Sequence, residues 1–100
     1  MAKVKHIALF KFKEGTAQEY IDEVFEKLLE ISESIEGIED YVGGMNNSPE
    51  GLNQGFTHGF VMTFTDAAAR DAYVAHPDHE RFKSGVLPSI ESVAIFDFEV

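Results

Sequence analysis

An α+β fold, in which one antiparallel four-stranded sheet is covered by helices on one side, is what this 100-residue sequence predicts, and three observations predict it. Segments rich in β-branched and aromatic residues, alternating in hydrophobicity, stand at both ends of the chain and again around Phe60. A long stretch from Thr16 onward repeats its apolar residues at the spacing of a half-buried helix. A second, shorter helical stretch is interrupted by Pro77, whose ring and missing N–H break a helix.

Val4 to Lys13 is dense in strand formers and closes at the turn signal Glu14-Gly15. Thr16-Ala17-Gln18-Glu19 has the pattern in which a hydroxyl and a carboxylate satisfy each other's backbone N–H groups at a helix start. In the helix that follows, Tyr20, Ile21, Val24, Phe25, Leu28, Leu29, Ile31 and Ile35 make one apolar stripe, and Gly37 marks the stop. Its acids, Asp22, Glu23, Glu26, Glu30, Glu33 and Glu36, form a solvated face and imply no partner. Ile38 to Met45 reads as a second strand, Asn46 to Gly55 as a turn-rich loop, and Phe56 to Thr65 as a third strand. Asp66 is the N-cap of a helix from Ala67 to Ala75, Pro77 opens a short helix from Asp78 to Ser84 that ends near Gly85, and Ser92 to Val100 is the last strand. The order is β-α-β-β-α-β with the second helix broken, the ferredoxin-like arrangement, in one domain over residues 1–100.

Charge and composition narrow the function. Eighteen acidic against eight basic residues give a net charge of −10, which repels nucleic acid and an anionic membrane surface alike. No apolar run is long enough to span a bilayer. With no cysteine there are no disulfides, no thiolate ligands and no thiol chemistry. Lys3-Val4-Lys5-His6 runs straight into strand alternation, without an apolar block and a cleavage site, which predicts a cytoplasmic protein.

The strands are apolar on both faces. Even positions of the first and third strands, including His6, Ala8, Phe10, Phe60 and Phe64, make a face for the helices. Yet Ile7 and Leu9 lie at odd positions, as do Val61 and, on the last strand, Val93 and Ile95. A sheet covered on one side shows water a polar second face, so a further layer is required, and the chain has no spare helix to provide it. A second copy of the same sheet is the simplest cover, which makes Ile7, Leu9, Val93 and Ile95 the expected interface of a homodimer.

Val4-Lys5-His6 at the first strand, Gly55-Phe56-Thr57-His58 at the third, Tyr73-Val74-Ala75-His76-Pro77-Asp78-His79 at the helix break and Ile95-Phe96-Asp97-Phe98 on the last strand resemble successive signatures of the dimeric α/β-barrel (stress-responsive A/B barrel, Dabb) family. The resemblance implies a ferredoxin-like protomer whose sheet packs on that of its partner to form a dimeric α/β barrel. Within that family the functional likeness is to plant polyketide cyclases of the olivetolic-acid type. It carries over His6, His58, Tyr73, His76 and His79, with Tyr73 and His79 in the catalytic roles, and it implies no cofactor.

The chemistry of these residue types agrees. Aldol cyclisation needs a base to remove a proton next to a carbonyl and a donor to hold the developing oxyanion. His79, with an imidazole that titrates near neutrality, suits the base, and the Tyr73 hydroxyl suits the orienting or oxyanion-holding donor. His6 and His58 share strand parity with Phe10 and Phe60 and so are expected to bind a small apolar or aromatic ligand at the polar end of a cavity lined also by Ala8 and Phe82. His76 is a ligand-binding candidate too, although its position before Pro77 favours capping. A metal site is not predicted: Pro77 lies inside the His76/His79 pair, and no helical metal-binding motif is present. Two alternatives share the fold: a non-catalytic, stress-responsive binding or structural homodimer, and a cofactor-free monooxygenase, which the absence of tryptophan and of flavin or haem motifs disfavours.

Overall fold

The computed structural model describes residues 2–100 as β1 (Val4–Phe12), α1 (Gln18–Ser34), β2 (Ile38–Met45), β3 (His58–Phe64), α2 (Ala67–Val74), α3 (Pro77–Val86) and β4 (Ile90–Glu99), with a 3-10 turn at Leu87–Ser89 before β4. The strands form a single antiparallel sheet in the order β2-β3-β1-β4, so the fold is ferredoxin-like, with three helices against one face. Ile21, Val24, Leu28 and Ile31 of α1 press on that face, following the spacing of the apolar stripe. Ala8, Leu28, Met62 and Phe64 are completely buried there, and removing a side chain of leucine size from water contributes about 2–3 kcal/mol.

Several boundaries differ from the sequence reading, each for a local reason. Ala17, not Thr16, is the N-cap of α1, because the Thr16 hydroxyl donates to the Lys13 carbonyl at 2.6 Å and closes the preceding turn instead. Helix α1 stops at Ser34, ahead of Gly37, which adopts φ +95° in the turn to β2; a Cβ there would also meet the Ala69 side chain at 2.7 Å. Helix α3 runs through Gly85 to Val86, longer than the Pro77 break suggests, and β4 begins at Ile90 rather than Ser92.

Register matters more for function. In the β1–β3 pair His6 faces Met62 and Ala8 faces Phe60, so even positions share a face as expected. In the β1–β4 pair His6 faces Asp97, Ala8 faces Ile95 and Phe10 faces Val93, so paired numbers differ in parity. Val93 and Ile95 therefore lie on the helix-covered face, which corrects their grouping with Ile7 and Leu9. Directly opposed side chains share a face, and parity along one strand says nothing of its neighbour's until the register is known.

The open face is apolar nonetheless. Val42, Val61, Ile7 and Phe96 oppose one another across all four strands, and Val42 and Phe96 are 58% and 67% exposed. Gly44, Gly59, Leu9 and Ala94 form the next row, where the two glycines keep the surface low. Lys5 and Lys11 stand on this face on either side of those rows.

Candidate functional site

A cavity of about 260 Å³ opens between the β1–β4 side of the sheet and α2 and α3. His6, Ala8 and Phe10 of β1, Phe60 of β3 and Tyr73 of α2 form its inner wall. His79, Phe82, Lys83 and Val86 of α3 close one side, and Leu87, Ile90, Val93 and Ile95 make its lip. Capping places the helices. Asp66 Oδ1 accepts from the Ala69 N–H at 2.8 Å to begin α2, and His76 Nδ1 accepts from the Asp78 N–H at 3.0 Å to begin α3, with Pro77 at its first position. Because the chain turns at that break, the rings of Tyr73 and His79 come together with centroids 4.4 Å apart.

Hydrogen bonds fix the tautomers of both histidines on the cavity wall. His79 Nδ1 lies 3.1 Å from the Val74 carbonyl, and His6 Nδ1 lies 2.8 Å from Asp97 Oδ1. Carbonyl and carboxylate oxygens only accept, so each Nδ1 carries a proton, and a ring that holds no second proton leaves Nε2 as an acceptor. Asp97 is itself held: its Oδ2 accepts from Arg70 Nη1 at 2.8 Å, while Arg70 Nε donates to Asp71 at 2.8 Å. Burial lowers the pKa of His79, the Val74 bond opposes this, and the nearby Lys83 charge lowers it further. The imidazole is accordingly a neutral acceptor at neutral pH. Burial raises the pKa of Tyr73, which keeps its phenol protonated and therefore a donor.

Of the predicted residues, His6, Ala8, Phe10, Phe60, Tyr73, His79 and Phe82 line this one cavity. His58 does not. It pairs opposite Phe10, whereas His6 pairs opposite Met62, because antiparallel strands start at opposite ends of the sheet. His58 packs against Phe12 and Phe25 at 5.4 and 5.8 Å between ring centroids, beyond the Phe10–Phe60 contact, and its Nδ1 meets the Thr57 hydroxyl at 2.8 Å. Its Nε2 is buried without a partner among the described residues, and burial lowers its pKa against the opposing charge of Asp22. His76 caps α3 and lies outside the cavity, so its place among the ligand-binding residues is corrected as well. Val93 and Ile95 move from the expected interface to the cavity lip.

Asp97, Arg70 and Lys83 escaped the sequence reading. Asp97 had a signal, a lone acid between Phe96 and Phe98 in an apolar strand, but its role needs the register that sets it against His6. Nothing in the sequence singles out Arg70 or Lys83 among the charges of their helices. Among the described residues no group of three or more metal-ligating side chains comes together, and no helix is long and apolar enough to cross a membrane.

Known proteins bear on this geometry. The protein HS1 of Arabidopsis thaliana, a stress-response A/B barrel domain-containing protein, is 35% identical over 96 residues, covering 96% of this chain and 88% of HS1. Olivetolic acid cyclase of Cannabis sativa is 26% identical over 95 residues, covering 95% of this chain and 94% of the cyclase. A dimeric ferredoxin-like protein of unknown function from Jannaschia sp. CCS1 superposes with a TM-score of 0.87 at 27% identity, covering 98% of this chain and 99% of that one. Residues 4–100 match the Stress responsive A/B Barrel Domain (Dabb), and the chain therefore belongs to that family.

Proposed function

We propose that the protein is a cofactor-independent enzyme that moves a proton on a small carbonyl compound with an apolar remainder, cyclising or cleaving it, and that it works as a homodimer. The observation that carries this reading is the placement of a neutral imidazole acceptor, His79, beside a protonated phenol, Tyr73, in the wall of an apolar cavity. In a cyclisation, His79 Nε2 takes the proton next to a carbonyl, and the C–H electron pair becomes an enolate. That carbon attacks a second carbonyl of the same molecule, Tyr73 donates to the oxygen on which charge develops, and the proton returns from His79. The atoms balance without oxidant or reductant. The likeness to olivetolic acid cyclase supports the reaction class.

The homodimer rests on the open sheet face. Val42, Val61, Ile7 and Phe96 form an uncovered apolar row, and the Jannaschia neighbour is dimeric. A second copy of the sheet would cover Ile7 and Leu9 together with Phe96 and Phe98, in place of Val93 and Ile95.

A second reading, a non-catalytic binding homodimer, is favoured by the cavity lip, where Leu87, Val93 and Ile95 are 48%, 45% and 57% exposed and suit an apolar guest held without chemistry. Turnover of a panel of polyketide-like and small aromatic carbonyl compounds by the native protein, His79→Ala and Tyr73→Phe separates the two. Loss of turnover in both variants is the expected result. Ligands that bind the native protein and yield no product would overturn the catalytic reading in favour of the binding one.

A further inference from the structure

Both imidazoles on the cavity wall have committed their single N–H elsewhere, His6 to Asp97 and His79 to the Val74 carbonyl. The wall thus carries two imidazoles, both packed against the Tyr73 ring and each with Nε2 left as an acceptor, and Lys83 is the cationic side chain that lines the cavity with them. Its ammonium lies 3.2 Å from Glu80 Oε1 and is half-exposed, free to turn toward a guest. A guest whose head group is only an acceptor, such as an ether, gains nothing from the two imidazoles and can use only the Tyr73 hydroxyl and the Lys83 ammonium. A guest with an acidic O–H meets a base, and the anion it leaves meets a cation.

We infer that the cavity binds a weak acid, a phenol or enol with an apolar remainder, as its anion, the proton passing to His6 Nε2 and the oxygen facing Lys83. This rests on the cavity being the functional site. The O–H bond breaks with its electron pair left on oxygen, and an N–H bond forms on His6. The imidazolium then donates Nδ1–H to Asp97 and Nε2–H to the new anion. Arg70 grips the other oxygen of Asp97 at 2.8 Å, so the carboxylate stays in place as charge forms on the ring. His79 remains the neutral acceptor for a second proton, and Tyr73 remains a neutral donor. Phe10, Phe60, Phe82 and Val86 take the apolar remainder. An enolised dicarbonyl meets this description, and so does the phenol that its cyclisation yields.

The probe is para-nitrophenol, which is coloured only when ionised, titrated at a pH where the free compound is colourless, with para-nitroanisole as the matched compound that has no proton to give. Adding protein should develop the phenolate colour and shift the ring signals of His6 and Tyr73 but not those of His58. Lys83→Met, which keeps the length of a half-exposed side chain and removes its charge, should weaken binding about tenfold. Nitrophenol bound without colour, nitroanisole bound as tightly as nitrophenol, or colour without a shift at His6 would overturn the inference and leave the cavity as a binding site. Failure of both compounds to bind would overturn the inference, and the unchanged enzyme assays of the preceding subsection would then decide the cavity's role separately.

Discussion

Asp97 Oδ1 lies 2.8 Å from Nδ1 of His6, the carboxylate supplied by β4 and the imidazole by β1, directly across the strand pair. His6 is buried and Asp97 partly buried, and Arg70 shares the carboxylate. Replacing Asp97 by alanine leaves a buried N–H without its acceptor, a change that costs about 1–3 kcal/mol. Asp97→Ala should therefore lower the urea midpoint by a corresponding amount. It should also turn the ring-nitrogen NMR signals of His6 from those of one tautomer into those of a mixture. An unaltered spectrum would show that something other than Asp97 holds the ring.

The inner end of the cavity is set by Phe10 and Phe60, whose ring centroids are 5.8 Å apart and which separate it from His58. Phe60→Leu removes part of this wall at a cost of about 1 kcal/mol, whereas Phe60→Ala costs about 3–5 kcal/mol and endangers the fold. The leucine variant should bind long-chain members of a homologous alkylphenol series better relative to short ones than the native protein does. Equal selectivity in a calorimetric titration of both proteins would remove Phe60 from the role of length gauge.

Elements and site were not equally legible in the sequence. The α1 stripe and the Pro77 break declare themselves because local periodicity and a missing N–H act within a few residues. The pairing of Tyr73 with His79 comes instead from the resemblance to the Dabb family, since Pro77 turns the chain between them and spacing alone does not make them neighbours. What stayed hidden depends on pairing between strands far apart in sequence. Strand parity alone puts Val93 and Ile95 on the wrong face because nothing near them fixes their register against β1, and the role of Asp97 is hidden for the same reason. For His58, shared parity sets the right face, but antiparallel pairing puts it at the opposite end of that face from His6.

Acid should destabilise the protein through His58. Its folded pKa lies below the ordinary imidazole value of about 6.5, because burial penalises the charged ring. Below that ordinary value the unfolded chain binds the proton that the native chain refuses, so stability rises with pH across this window. The contribution is complete above about pH 6.5 and is lost as pH falls through the folded pKa. His79, shifted in the same direction, adds to the slope. Denaturant midpoints measured across this range should show a shallower fall in His58→Leu than in the native protein. An identical slope in the two would assign the acid sensitivity to groups other than His58.

The dimer interface is testable by charge. Phe96 ends the row Val42–Val61–Ile7–Phe96 on the open face and is 67% exposed in the single chain. In a two-fold interface every substitution enters twice, and a carboxylate taken out of water without a partner costs several kcal/mol. Phe96→Glu should therefore sediment as a monomer at concentrations where the native protein sediments as a dimer. Leu29→Glu is the control, since Leu29 is exposed on α1, on the side of the sheet that the helices cover, and its charge should leave the dimer intact. Dissociation by Leu29→Glu with a persistent Phe96→Glu dimer would place the interface on the helices, and the apolar row would need another explanation.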